Sequence, residues 1–156
     1  MWLCQKYEAL QMKNQEPRAI EFTPAPPFPI PGERGSICNI SSIAGLHAMG
    51  FAAYTPTKFA VLGITKNGAK FYGPSSIRCN AVCPGLTRTA MLEGTLGDIK
   101  DGNTGAEKSS AASQVALRRS SYAHEQANVI SFLLSPESSY VNGATIVTDG
   151  GFWDVR

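Results

Sequence analysis

The 156-residue chain reads as an α/β protein built on a parallel sheet. Three observations lead there. Helix-like and strand-like segments alternate in the order helix, strand, helix, strand, helix, strand. The strand-like runs Ile37–Ser42, Ile77–Cys83 and Thr145–Thr148 are short, and Pro84-Gly85 breaks the second. A helix-sized stretch separates each strand from the next, and crossovers of that length join strands running the same way. Helices then cover both faces of the sheet and its strands are buried.

Each element has its own signal. Residues 2–15 carry Trp2, Leu3, Tyr7, Leu10 and Met12 and predict a helix ended by Pro17. From Pro24 to Gly32 the chain holds Pro24, Pro26, Pro27, Pro29 and Pro31, which cannot sit in a central strand. A stiff surface excursion is preferred there over an SH3-type ligand, since no flanking basic anchor pattern accompanies the prolines. The second helix runs from Tyr54 through Phe59, Val61, Leu62, Ile64 and Lys66 to about Tyr72, with Gly73-Pro74 as its stop. Pro56 falls in its first turn, where a missing N–H costs little. Pro84-Gly85 breaks the second strand. Residues 87–113 are rich in Gly, Ser, Thr and Asp, with Met91, Leu92, Leu96 and Ile99 as contacts, a composition that suits a lid over a substrate and plain disorder about equally. His124–Leu134 is the third helix, with Pro136 beyond its end. The expected organisation is a single domain over 1–156: a helix at 1–16, a proline-rich loop at 17–34 and a core at 35–156.

Composition narrows the function classes. A hydrophobic fraction of 43% and a net charge of +2 offer no electrostatic case for nucleic acid or a membrane surface. No run of eighteen apolar residues exists for a transmembrane helix. Two histidines and no clustered acids argue against a metal site. Cys38 and Cys79 fall in apolar strand-like runs where a free thiol acts as a small hydrophobe, and Cys79-x-x-x-Cys83 lacks zinc-knuckle spacing. A reduced, cytoplasmic setting follows as the expectation.

Chemistry concentrates in Tyr54-Thr55-Pro56-Thr57-Lys58, where a phenol and an ammonium stand at i and i+4 on one helix face. An ammonium beside a phenol favours the phenolate, so the pair suits proton exchange with an alcohol. Twelve positions upstream, Ser42 ends a strand and precedes the small-residue turn Ile43-Ala44-Gly45. A hydroxyl facing a Tyr–Lys pair suits a carbonyl and its alcohol. Asn39, mid-strand, reads as a structural hydrogen-bonder.

These pieces, with Asn80-Ala81-Val82-Cys83-Pro84-Gly85-x-x-x-Thr89 and Ser138-Ser-Tyr-Val-Asn-Gly-Ala144 leading to Asp149-Gly-Gly151, resemble the short-chain dehydrogenases/reductases from Gly35 to Phe152. The resemblance implies a doubly wound, Rossmann-like sheet, of which the last three strands and their flanking helices are present. It implies hydride transfer between a nicotinamide cofactor, NAD or NADP, and a secondary alcohol or ketone. Ser42, Tyr54 and Lys58 are then catalytic. Tyr54 and Lys58, with Pro84, Gly85, Leu86 and Thr89, bind the nicotinamide half of the cofactor. Ser41 becomes a structural companion, residues 46–53 and 87–113 select the substrate, and the helices starting near Trp2 and Tyr54 form a homo-oligomer or pair with a related chain. Neither G-x-x-x-G-x-G nor G-x-G-x-x-G occurs in the chain, so the turn that cradles the pyrophosphate is not among these residues. The expectation is therefore a carboxyl-terminal half that begins inside a helix. Two outcomes follow from it: an oxidoreductase incomplete as this chain, or a non-catalytic pseudoenzyme that folds by pairing with another chain.

Overall fold

The computed structural model describes residues 1–50, 52–91 and 112–153. Three helices and three principal strands appear in the expected alternation: α1 (Trp2–Lys13), β1 (Gly35–Ile40), α2 (Tyr54–Tyr72), β2 (Ile77–Pro84), α3 (Ala123–Leu134) and β5 (Thr145–Thr148). Two further strands, β3 (Thr87–Arg88) and β4 (Ser121–Tyr122), form a separate two-residue ribbon. The principal strands lie in the order β1-β2-β5, all parallel, with Gly35 opposite Ile77 and Ala81 opposite Thr145.

Alternation along β1 and β2 assigns their side chains to opposite faces. Ile37 and Cys79, cross-strand partners, pack with Ala9 and Ala69 beneath α1 and α2. On that face Asn39 donates to Gln5 Oε1 (2.7 Å) and Thr65 Oγ1 (2.9 Å), which ties α1, β1 and α2 together as a structural hydrogen-bonder should. The partners Ser36 and Arg78 point to the other face, toward the end of α3. Burial here does not require apolarity. Every residue of β2 from Ile77 to Cys83 is buried, yet Arg78 and Asn80 are polar.

Arg78 spends all its donor groups inside. It forks onto Glu33 (3.1 and 3.2 Å) and donates to the carbonyls of Leu133, Val141 and Ser135. Two of those carbonyls belong to the C-terminal turn of α3, whose last C=O groups have no helical partner. The guanidinium therefore caps α3 while Glu33 balances its charge. Asn80 and Asn142 do similar work at the parallel sheet's irregular entry to β5. Asn80 bonds Val141 O and Ala144 N, and Asn142 bonds Cys79 N and Ala69 O.

Several boundaries differ from expectation for local reasons. Strand β1 starts two residues earlier than expected and ends before Ser41, because Ser42 turns out to accept Ala44 N and open a short 3-10 turn over Ile43–Gly45. Helix α2 ends as expected at Tyr72, but Gly73-Pro74 continues into a 3-10 turn and Ser76, not a glycine, takes the left-handed conformation (φ 58°). The proline-rich segment is an excursion closed by an antiparallel bridge between Arg18 and Glu33, with residues 21–31 all exposed. Of the expected lid over 87–113, residues 92–111 lie outside the described residues, including Leu92, Leu96 and Ile99. Cys4, Cys38, Cys79 and Cys83 are free thiols, and burial pushes Cys38 up to about 11 and Cys79 up to about 12.

Candidate active site

In an open parallel α/β sheet, ligands settle beyond the carboxyl ends of the strands. There the chain from β1 delivers Ser41 and Ser42, and the end of β2 delivers Pro84 and Gly85. The start of α2 supplies Tyr54 and Lys58. Ser42, Tyr54, Lys58, Pro84, Gly85, Leu86 and Thr89, the full set of expected site residues, line one open cavity of about 520 Å³. Ile40, Ser41, Thr87, Met91, Ala123 and Gln126 complete its walls.

The α2 wall is fixed to the sheet at close quarters. Ser41 Oγ, almost fully buried, donates to Lys58 O at 2.8 Å. A Cβ on Gly45 would stand 2.5 Å from Ser41 Oγ and 2.7 Å from Lys58 O, so only glycine lets the turn after β1 approach α2 this closely. Lys58 Nζ donates to Ile40 O (3.2 Å) and lies 5.5 Å from the centre of the Tyr54 ring. One of three ammonium donors is thereby used, and the others are available to ligand hydroxyls. Ser42 Oγ accepts Ala44 N at 3.1 Å, which leaves its own O–H to donate into the cavity. Below them Cys83 is fully buried, and burial raises its thiol.

The opposite wall, residues 84–89, is held as firmly. Gly85 N donates to Thr148 O at 3.1 Å, and a Cβ at Gly85 would meet Asp149 Cα and Cβ at 2.7 Å. Ser121 N and Ser121 Oγ both donate to Leu86 O, and Ser121 Oγ lies 3.0 Å from Thr87 Oγ1. Beside this wall, the half-exposed Glu125 accepts two bonds from Arg119 at 2.8 Å and one from Tyr122 N, and its carboxyl falls to about 2, chiefly through Arg119. Asp149 caps Gly151 N and Trp153 N, and Trp153 packs on His47 with ring centres 4.3 Å apart.

Sequence reasoning missed Gln126. It lies four and seven residues before Ile130 and Leu133, at the same helical stripe, so a polar residue on an apolar face was the available signal. Thr87 and Ser121 escaped because two-residue strands carry no period. Among the described residues no group of three or more His, Cys, Asp or Glu side chains could hold a metal ion, and no helix is long and apolar enough to cross a membrane.

Comparison with known proteins places most of the chain in one family. The enoyl-(acyl carrier protein) reductase family matches residues 25–153. A 3-alpha-(or 20-beta)-hydroxysteroid dehydrogenase of Mycobacterium tuberculosis is 44% identical over 119 residues, 76% of this chain and 41% of that protein. A short-chain dehydrogenase of Neurospora crassa, srdC, is 37% identical over 142 residues, 90% of this chain and 49% of that protein. The chain thus spans less than half the length of these relatives. Among solved structures, ElxO with NADP bound superposes with a TM-score of 0.73 at 27% identity, over 97% of this chain and 52% of that one. A 4-hydroxyisoleucine dehydrogenase complexed with NADH gives 0.60 at 32% identity, over 76% and 46%. The chain belongs to the short-chain dehydrogenase/reductase family.

Proposed function

We propose that the cavity is the catalytic and nicotinamide-binding half of a dehydrogenase that interconverts a secondary alcohol and a ketone. The carrying observation is the Lys58 ammonium lying 5.5 Å from the Tyr54 ring in a cavity that Ser42 also lines. A bound nicotinamide cofactor, NAD or NADP, supplies or accepts the hydride. Tyr54 gives the proton to the substrate oxygen in reduction and takes it back in oxidation. Ser42 holds that oxygen by donating its O–H and stabilises charge that develops there. Lys58 uses its remaining donors on ribose hydroxyls, and its charge supports Tyr54 in proton exchange. Pro84, Gly85 and Leu86 form the flat wall for the nicotinamide ring, with Thr89 at its carboxamide. We read residues 1–156 as a single partial domain acting in the cytoplasm on a small molecule.

The glycine-rich pyrophosphate turn is not among these 156 residues, so these residues by themselves are expected to hold a full dinucleotide weakly. A second reading, a non-catalytic chain that pairs with a related one, is favoured by two observations. Among the described residues β1 has a hydrogen-bonded neighbour on one side only. The helix α1 also exposes Trp2, Leu3, Tyr7 and Leu10. Amide-resolved NMR titration with reduced nicotinamide mononucleotide, which has no pyrophosphate bridge, tests the site at concentrations on the order of 10 mM. Shifts are expected at Tyr54, Thr55, Thr57, Lys58, Gly85 and Leu86, diminished in Lys58→Met. Shifts confined to other surfaces, or none, would refute the assignment.

A further inference from the structure

We infer that Gln126 is a positioning residue that sets the Pro84–Thr87 wall of the cavity; the catalytic meaning of that wall rests on the function proposed above. Gln126 is only 8% exposed, and its amide makes three bonds to residues of two strands. Nε2 donates to Ser121 Oγ at 2.9 Å and to Thr148 O at 3.2 Å, and Oε1 accepts from Thr148 Oγ1. The reverse amide orientation would set Oε1 against Thr148 O, oxygen facing oxygen, so the orientation is determined by its partners.

Both partners hold the wall directly. Thr148 O also accepts Gly85 N, at 3.1 Å. Ser121 Oγ, which accepts from Gln126, in turn lies within hydrogen-bond reach of Leu86 O at 3.1 Å and of Thr87 Oγ1 at 3.0 Å. One side chain from α3 therefore joins β5 to the β3–β4 ribbon and clamps Gly85 and Leu86 from both sides. A buried amide with three satisfied bonds specifies one arrangement where an apolar residue of the same size would allow several.

The test is Gln126→Met, close in volume and without the polar atoms, in the full chain. Hydrogen exchange is followed at Gly85 and Ser121, whose N–H groups bond across the wall, and at Arg34 and Gly143, whose N–H groups bond at the far end of the sheet. Protection is expected to fall about tenfold or more at Gly85 and Ser121 while Arg34 and Gly143 keep theirs. An equal fall at all four, or no fall, would overturn the inference. If Gln126→Met does not fold, Ser121→Ala breaks the same relay one bond closer to the wall and must give the same local pattern. Titration with reduced nicotinamide mononucleotide separates this inference from the reading it rests on. In Gln126→Met the shift at Leu86 should shrink about threefold or more, and an unchanged shift counts against positioning. Absence of shifts in the unsubstituted chain would sink the cofactor reading, and the exchange comparison would still decide the role of Gln126.

Discussion

Arg78 shows how one side chain can hold several elements. It sits second in the buried strand β2 and serves Glu33, the last turn of α3 and the loop before β5 at once. Replacing it with Met leaves the Glu33 carboxylate, only 16% exposed, without its partner and takes one donor from each of three carbonyls, which keep bonds from Ser36, Asn80 and Ser138. The expected cost is about 3–5 kcal/mol in a urea melt. A cost below about 1 kcal/mol would mean that water or rearrangement satisfies those groups. At this scale the site was legible and its support was not. Tyr54 and Lys58 announce themselves by spacing, and Ser42 by its place after a strand. Arg78 and Gln126 look in sequence like interruptions of apolar patterns, and only their partners, 45 and 22 positions away, explain them.

Elements were legible wherever a period or a stop signal was long enough to read. Helix α2 runs from Tyr54 to Tyr72 as its apolar spacing and the following Gly73-Pro74 indicate. The β3–β4 ribbon was invisible, since Thr87 and Ser121 find each other through hydroxyls and a wall geometry that no local pattern encodes. Two predictions belong here. Gly45→Ala forces a methyl against Ser41 Oγ and the Lys58 carbonyl and must push α2 from β1. It should cost about 1–3 kcal/mol in thermal or urea unfolding and move the amide signals of Lys58 and its neighbours. A neutral substitution would show that the turn yields easily. The second concerns the start of α3, where Glu125 accepts from Arg119 and Tyr122 N. Its folded carboxyl, near 2, lies below the ordinary 4.5, so the stabilisation is present above about 4.5 and is lost as pH falls toward 2. A carbon-detected titration should place the Glu125 midpoint near 2 and Arg119→Gln should raise it; a midpoint near 4.5 in the unsubstituted chain would contradict the pairing.

On the scale of the whole molecule, the fold class was legible because alternation of elements, with crossovers between strands, leaves few topologies. The three parallel strands and the helices on both faces follow from it. What the alternation could not give is the arrangement beyond the open side of β1, where the described residues supply no neighbouring strand. The function proposed here divides along the same line. Ser42, Tyr54, Lys58 and the 84–89 wall line one cavity, the proposed nicotinamide end, and the glycine turn for the pyrophosphate end is not among the 156 residues. The most direct test is titration of the purified chain with NADH and NADPH by fluorescence, with sedimentation showing that the sample is folded. A folded chain with no saturation below about 1 mM for either cofactor is the predicted result. Tight binding of either one, accompanied by turnover that Tyr54→Phe abolishes, would show that these residues hold the whole dinucleotide and would contradict the half-site account.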